Sequence, residues 1–294
     1  MNLFLIQTIQ RDSAISFPML GNLTINPPAS ISIGNLHIYF YGIIIAVGFI
    51  IGIFVASHNS PKFGIKDDDL FDIILWTIPM AILGARLYFV LFKLDYYLAH
   101  PSEILAVWEG GLAIYGGVIA GAITILFVTK RKKIPTPAAL DLIIISCILG
   151  QAVGRWGNFM NREAFGAETE IFCRMGLTTP AGETIYVHPT FLYESLWNLA
   201  GYIFLQWFVS SGKRQFDGQC ILMYCVWYGL GRVWIEGLRT DSLYLGSTGI
   251  RVSQALSAVL VVFGVTMLIL LRHRHSLYVE SQAEEPDSAE PIGD

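Results

Sequence analysis

Seven apolar runs, interrupted by short polar stretches, set the pattern of the chain: 36–57, 70–92, 112–128, 138–153, 191–209, 220–235 and 252–271. A helix crossing a hydrocarbon core needs about 20 residues, so each run is long enough, or nearly so, to be predicted as a membrane span. The fourth and sixth are short before they meet Arg155 and Arg232, which places those arginines near a headgroup boundary. The second contains Pro79 and Arg86, the mark of a bent helix with a polar inner face. Gly48 with Gly52, and Gly117 with Gly121, have the spacing of small residues at close helix contacts. The longest interruption, 154–189, exceeds the usual length of a structureless loop and is expected to form a small cap over the membrane helices.

Composition agrees with this pattern. Of 294 residues, 54% are hydrophobic and only 14% charged, and the mean hydropathy is +0.55. A soluble domain carries about 25% charged residues, so the deficit points to the bilayer. The first twenty residues have no basic segment followed by a long apolar one, so no secretory signal peptide is expected. The net charge of −4 reflects a local excess: Glu280, Glu284, Glu285, Asp287, Glu290 and Asp294 follow Arg274 without a further Lys or Arg. Residues 273–294 therefore read as a solvated, disordered tail. Cys147, Cys173, Cys220 and Cys225 form no CxxC pair; they read as buried small hydrophobes, and neither zinc nor a disulfide is indicated.

Basic residues orient the spans. Lys62, Lys66, Lys130, Arg131, Lys132, Lys133, Lys213, Arg214, Arg272 and Arg274 fall in one set of loops. Arg11, Lys93, Arg155, Arg162, Arg174, Arg232, Arg239 and Arg251 fall on the other side, where four belong to two polar clusters. The first set is therefore assigned to the cytoplasm. The expectation is an all-α polytopic membrane protein with an extracytoplasmic N-terminal segment (1–35), seven transmembrane helices (36–272) and a cytoplasmic tail, its polar clusters facing outward.

The clusters carry the candidate chemistry. Gly154-Arg155-Trp156-Gly157-Asn158-Phe159-Met160-Asn161-Arg162-Glu163 follows the fourth run; Tyr228, Arg232, Glu236, Arg239 and Asp241 end the sixth. An arginine at bilayer depth costs roughly 2.5–3.5 kcal/mol on insertion scales, so it requires partners or a function. Arg155 and Arg232 offer planar forks that match phosphate oxygens; alternatively, each pairs with Glu163, Glu194 or Glu236 and locks helices together. Asn158 and Asn161 either donate to the same anion or cap a helix that ends at Gly157. Tyr115, between Gly110-Gly111 and Gly116-Gly117, projects where backbone approaches closely, and Tyr41-Gly42 is a weaker version of the same signal. His188 opens the tract to Glu194 without an evident nucleophile beside it. HExxH, Walker and GxSxG motifs are absent, which removes support for metalloprotease, nucleotide hydrolase and serine esterase. An anion transporter and a lipid-binding scaffold remain alternatives to an enzyme, although no paired, broken helices favour transport.

At these residues the chain resembles the bacterial prolipoprotein diacylglyceryl transferases. The likeness runs through Tyr41-Gly42, Gly84-Ala85-Arg86-Leu87-Tyr88, 110–117, 154–166, 188–194 and Arg232 to Asp241. It implies seven membrane helices in the bacterial cell membrane and a site facing outward. It also implies transfer of the diacylglyceryl group of phosphatidylglycerol to the lipobox cysteine thiol of a prolipoprotein signal peptide, giving a thioether and glycerol phosphate. Membrane lipid and the signal peptide are the implied partners, with no nucleic acid, metal or cofactor. Carried over by position, Arg155 and Arg232 match arginines of phospholipid binding and catalysis. Asn158, Glu163 and Gly166 match the signature, and Tyr41, Tyr228 and Glu236 match further functional positions. Asn161 and Arg239 are added as binding candidates, Tyr115 and Glu163 as catalytic ones. Many relatives carry His-Gly-Gly where this chain has Tyr115-Gly116-Gly117, so a mechanism needing a histidine base there does not transfer.

Overall fold

The computed structural model describes residues 13–21, 23–34, 36–240, 249 and 251–284. The chain is mostly helical: α1 Phe40–Asn59, α2 Asp67–Leu91, a short α3 Leu94–Ala99, α4 Ile114–Lys132, α5 Thr136–Asn161, α6 Thr190–Ser210, α7 Gln219–Leu238 and α8 Val252–Glu284. Among the described residues, five helices are long and apolar enough to cross a membrane, beginning at Phe40, Asp67, Ile114, Thr136 and Val252. Their outward faces are apolar, with Phe54, Leu75, Ile123 and Val259 all largely exposed, as lipid-facing positions require. The helices α6 and α7 are 21 and 20 residues long but carry Glu194, Arg232 and Glu236.

The all-α expectation needs amendment. Strands β1 Ala14–Phe17, β2 Leu23–Ile25, β3 Ser30–Ile33, β4 Leu36–Tyr39, β5 Met175–Thr178 and β6 Thr184–Val187 form two small antiparallel sheets, ordered β2-β1-β5-β6 and β3-β4. Their alternating residues are few and short, so the period-2 signal is lost beside the long apolar runs. Ile15, Leu177, Ile185 and Val187 bury one face of the larger sheet against Phe159 and Phe191 from the ends of α5 and α6. Two boundaries also move. The fourth span does not stop at Val153 but continues through Gly157 to Asn161, and the last helix extends to Glu284.

Two compact units are present: Met1–Phe54 with Ile144–Asp294, and Val55–Ile143. In the second, α2 packs on α4 with backbone against backbone. A Cβ on Gly84 would lie 2.8 Å from the Gly116 carbonyl oxygen, and one on Gly116 would strike the Gly84 oxygen and the Tyr88 Cβ. Gly117 and Gly121 face Ala81 and Thr77 one and two turns further along. Lys132, at the end of α4, pairs with Asp69 at 2.8 Å and with Asp72.

In the first unit, Gly48 and Gly52 of α1 lie against Gly150 and Ser146 of α5. The helices α6 and α7 exchange indole hydrogen bonds: Trp197 Nε1 donates to the Trp227 carbonyl and Trp227 Nε1 to that of Trp197, both at 3.0 Å. Their rings stack at 4.8 Å, over Gly231 and Gly201 respectively. A Cβ on Gly264 of α8 would sit 2.9 Å from the Leu222 oxygen of α7. Of the four cysteines only Cys220 is buried; Cys147 is exposed and Cys173 and Cys225 half-buried, so the expectation of uniform burial fails, and all four are free thiols.

Gly116→Ala should lower the thermal unfolding midpoint in detergent, at a cost of about 1–3 kcal/mol for overpacking a contact with no room. Gly42→Ala, with nothing within 4 Å of the added carbon, should show no such loss.

Candidate active site

The signature begins inside a helix. Because α5 runs through Gly157 to Asn161, Arg155 and Asn158 stand three residues apart on one face. Gly157 serves contact rather than termination: a Cβ there would lie 2.7 Å from the Tyr41 ring. The chain then reverses through two non-glycine residues of left-handed backbone, Arg162 (φ 52) and Ala164 (φ 56). Such conformations are uncommon outside Gly, Asn and Asp. The reversal brings Glu163 back onto the helix end, where its Oε1 accepts from Asn158 Nδ2 at 3.0 Å and Asn161 Nδ2 at 3.2 Å.

The two arginines of the signature have different fates. Arg162, 3% exposed, donates to the Ser13 carbonyl at 3.0 Å, to Asn26 Oδ1 at 2.8 Å, to the Pro27 carbonyl at 2.7 Å and to the Met160 carbonyl. It staples the N-terminal segment to the end of α5. Arg155 instead turns to a carboxylate: its Nη2 meets Glu194 Oε2 at 2.6 Å while its Nη1 donates to Asn158 Oδ1 at 3.2 Å. Asn158 thus accepts from Arg155 and donates to Glu163, which makes a relay from guanidinium to amide to carboxylate.

Glu194, the fifth residue of α6 and 4% exposed, is the hub. Its Oε1 also accepts from Arg232 Nη1 at 3.0 Å and from Arg239 Nη1 at 3.3 Å. Arg232 bonds Glu236 one turn along α7, and Glu236 is likewise buried. Three guanidinium groups therefore converge on two buried carboxylates. Planar forks held in a partly buried site match the oxygens of a phosphate or carboxylate.

Gly166 holds the frame behind Arg239. Its N–H donates to the His188 carbonyl at 2.9 Å and it forms a β-bridge with Arg239, while Ala167 N–H donates to the Leu238 carbonyl at 2.7 Å. A Cβ on Gly166 would lie 2.7 Å from His188 Cβ and 2.9 Å from the Leu238 oxygen, so only glycine fits where three segments cross. The His188 ring packs edge-on to Tyr193, with Nδ1 3.4 Å from its hydroxyl. Burial pushes the imidazole pKa below its usual value, so His188 is neutral near pH 7. Beside the cluster, Ile43, Val47, Leu149, Val153, Trp156 and Leu199 line an apolar groove of about 310 Å³. Trp156 Nε1 donates to Ser195 Oγ across it at 3.2 Å.

The structure thus gathers Arg155, Asn158, Asn161, Glu163, Arg232, Glu236 and Arg239, with Gly166 and Tyr41 as their immediate supports. Tyr228 stands one turn before Arg232 and stacks on Tyr224 at 5.4 Å. The Tyr224 hydroxyl in turn bonds the Gln151 amide at 2.8 Å. Asp241 lies outside the described residues. Tyr115 lies in the other unit, at the start of α4 and 41% exposed. Sequence reasoning weighed Glu194 only as a possible ion-pair partner and overlooked Gln151 and Tyr224. A carboxylate three residues into an apolar span, after Pro189, was the signal for the first; the other two carried none.

Glu194→Gln should cost about 3–5 kcal/mol in detergent unfolding, because it leaves three arginines short of a buried counter-charge. Glu163→Gln, at an exposed position, should stay within about 0.5 kcal/mol.

Comparison with known proteins bears on the family. Residues 28–270 match the family model described as prolipoprotein diacylglyceryl transferase. A relative from Staphylococcus haemolyticus, named phosphatidylglycerol–prolipoprotein diacylglyceryl transferase, is 42% identical over 272 residues, 90% of this chain and 95% of the relative. One of the same name from Streptococcus pyogenes is 41% identical over 256 residues, 85% of this chain and 97% of its own length. With a family model spanning most of its length and relatives above 40% identity across most of both chains, the chain belongs to the prolipoprotein diacylglyceryl transferase family.

Proposed function

We propose that this protein transfers the diacylglyceryl group of phosphatidylglycerol to the lipobox cysteine thiol of prolipoproteins, the reaction for which its relatives are named. The observation that carries this reading is the preassembled group of Arg155, Arg232 and Arg239 on Glu194 and Glu236. A phosphodiester offers oxygens that match the guanidinium forks, and the apolar groove beside Trp156 suits an acyl chain. In this reading α6 and α7 join the five apolar helices as spans, and the sheet of β1, β2, β5 and β6 forms the extracytoplasmic cap. The N-terminus lies outside, the C-terminus in the cytoplasm, and the cluster opens to the outer leaflet of a bacterial cell membrane.

The thiolate of the substrate attacks the glycerol carbon that bears the phosphate. A C–S bond forms, the C–O bond breaks, and the electron pair leaves on glycerol phosphate. Arg155 and Arg232 clamp the phosphate and stabilise charge that grows on the departing oxygen; such preorganised electrostatics is usually the largest catalytic contribution. Arg239, Glu236, Asn158, Asn161, Gly166, Tyr41 and Tyr228 shape or orient the lipid site. A cysteine is already a few per cent thiolate at pH 7, so the demand on a base is modest. Glu163, held by two amides, is the proton acceptor in this scheme, and Tyr115 orients the thiol or the phosphate through its hydroxyl.

The test is transfer of labelled diacylglycerol from phosphatidylglycerol to a lipobox peptide by purified protein in detergent. A thioether on the peptide with released glycerol phosphate is expected. Arg155→Lys keeps the charge but loses the two-pronged donor, and kcat should fall by about 10²–10³, as for loss of one transition-state donor. Replacing all four cysteines should leave turnover intact, since the nucleophile comes from the substrate. Folded protein that binds phosphatidylglycerol without transferring it would overturn the proposal.

A further inference from the structure

Among the described residues Arg86 is the largest fully buried side chain, 2% exposed, and it takes no part in the cluster above. Among the described residues its partners are carbonyl oxygens and aromatic rings. Nε donates to the Ile104 carbonyl at 2.9 Å and Nη2 to that of Glu103 at 2.7 Å. Nη1 donates to Gly110 at 2.6 Å and to Gly111 at 3.2 Å. The guanidinium carbon lies 5.2 Å from the Tyr97 ring centroid and 6.0 Å from that of Phe89. One planar fork therefore gathers both ends of the segment 103–111. An ammonium, with three donors and no plane, cannot reach these four oxygens together.

That segment leads straight into α4. Gly110 has φ 85 and ψ −148, a region open essentially to glycine alone. Gly111 has φ 65, and a Cβ on it would lie 2.6 Å from Arg86 Nη1. Two residues on, Ala113 N–H donates to the Ala85 carbonyl at 3.0 Å. Gly116 then touches Gly84 backbone to backbone. Three consecutive residues of α2, Gly84, Ala85 and Arg86, thus grip the incoming chain at Gly116, Ala113 and Gly110–Gly111. Between the grips at Ala113 and Gly116 lie Ile114 and Tyr115, the first two residues of α4, both with exposed side chains, and of the two only Tyr115 carries a polar group. Holding a buried cation with backbone dipoles is an expensive way to stabilise a loop, and an apolar side chain of similar length would pack there without that cost. What the fork adds is a fixed direction for the first turn of α4.

We infer that Arg86 is a positioning residue that sets the Tyr115 hydroxyl for transfer. This rests on the proposed part of Tyr115 in the reaction. The test is a kinetic cycle on the full chain in detergent, with Arg86→Lys, Tyr115→Phe and the double variant. Arg86→Lys should lower kcat by about 10- to 100-fold, the scale of an ångström-sized misplacement, with KM for phosphatidylglycerol changed less than about 3-fold. The double variant should be no slower than the slower single one, since both lesions act through one hydroxyl. Multiplying losses in the double variant, or full activity in Tyr115→Phe beside a slow Arg86→Lys, would overturn the inference. Should Arg86→Lys fail to fold, Gly110→Ala strains the same closure without a clash, because nothing lies within 4 Å of its added carbon. It should show a smaller kcat loss that vanishes in the Tyr115→Phe background. A readout independent of turnover is the ¹⁹F resonance of fluorotyrosine at position 115, assigned by its loss in Tyr115→Phe. It should move in Arg86→Lys and Gly110→Ala, and an unmoved resonance would overturn the inference even if the protein proved not to be a transferase.

Discussion

A charge removed from water must find an opposite charge or a set of dipoles, and the first unit is organised around one solution to that demand. Both oxygens of Glu194 are occupied, Oε2 by Arg155 and Oε1 by Arg232 and Arg239. These contacts join α5, α6, α7 and the residue that follows α7 at one point. The Trp197–Trp227 exchange brings α6 and α7 into register so that the carboxylate and Arg232 can meet. Gly166 does the same for Arg239, by letting three backbones cross without a side chain between them. Arg155 and Arg232 thus pair with carboxylates and join helices, one of the two readings that the sequence left open; the other, an anion site, is the proposal that their planar forks support.

Arg162 and Arg86 answer the same demand in another way. Both are nearly inaccessible, and both donate mostly to backbone carbonyls, with one side-chain amide at Arg162. Their donors are engaged in holding chain segments, the N-terminal stretch in one case and the approach to α4 in the other. Arg155 and Arg162 lie seven residues apart in one signature, yet one faces a carboxylate hub and the other a ring of carbonyls. The difference is the left-handed turn at Arg162, which swings that side chain away from the face of α5. The turn also sends Glu163 back towards Asn158, so one backbone feature gives neighbouring residues of the signature different partners.

Much of this was legible in the chain. The apolar runs locate α1, α2 and α4, and the starts of α5 and α8, to within a few residues, since burial in lipid is a property of each segment's own composition. The polar residues at the ends of the fourth and sixth runs mark the site for the same reason: charge beside apolar sequence needs an explanation wherever it folds. The small strands were not legible, because four-residue alternation is too short to stand out and their pairing joins residues 14–17 with 175–178 across most of the chain. The helical continuation past Gly157 was missed because glycine reads as a terminator locally, whereas here it admits the Tyr41 ring.

The sequence by itself determined a helical membrane protein with arginines at two apolar boundaries, and its signature identified the family. Tertiary structure alone decided which carboxylate serves which arginine, that Glu194 is shared, that Arg162 is a staple, and that Arg86 governs the entry to α4. Hydropathy is additive along a chain and can be read residue by residue. Pairing of buried charge depends on distance and direction between groups far apart in sequence, and only the packed helices supply those.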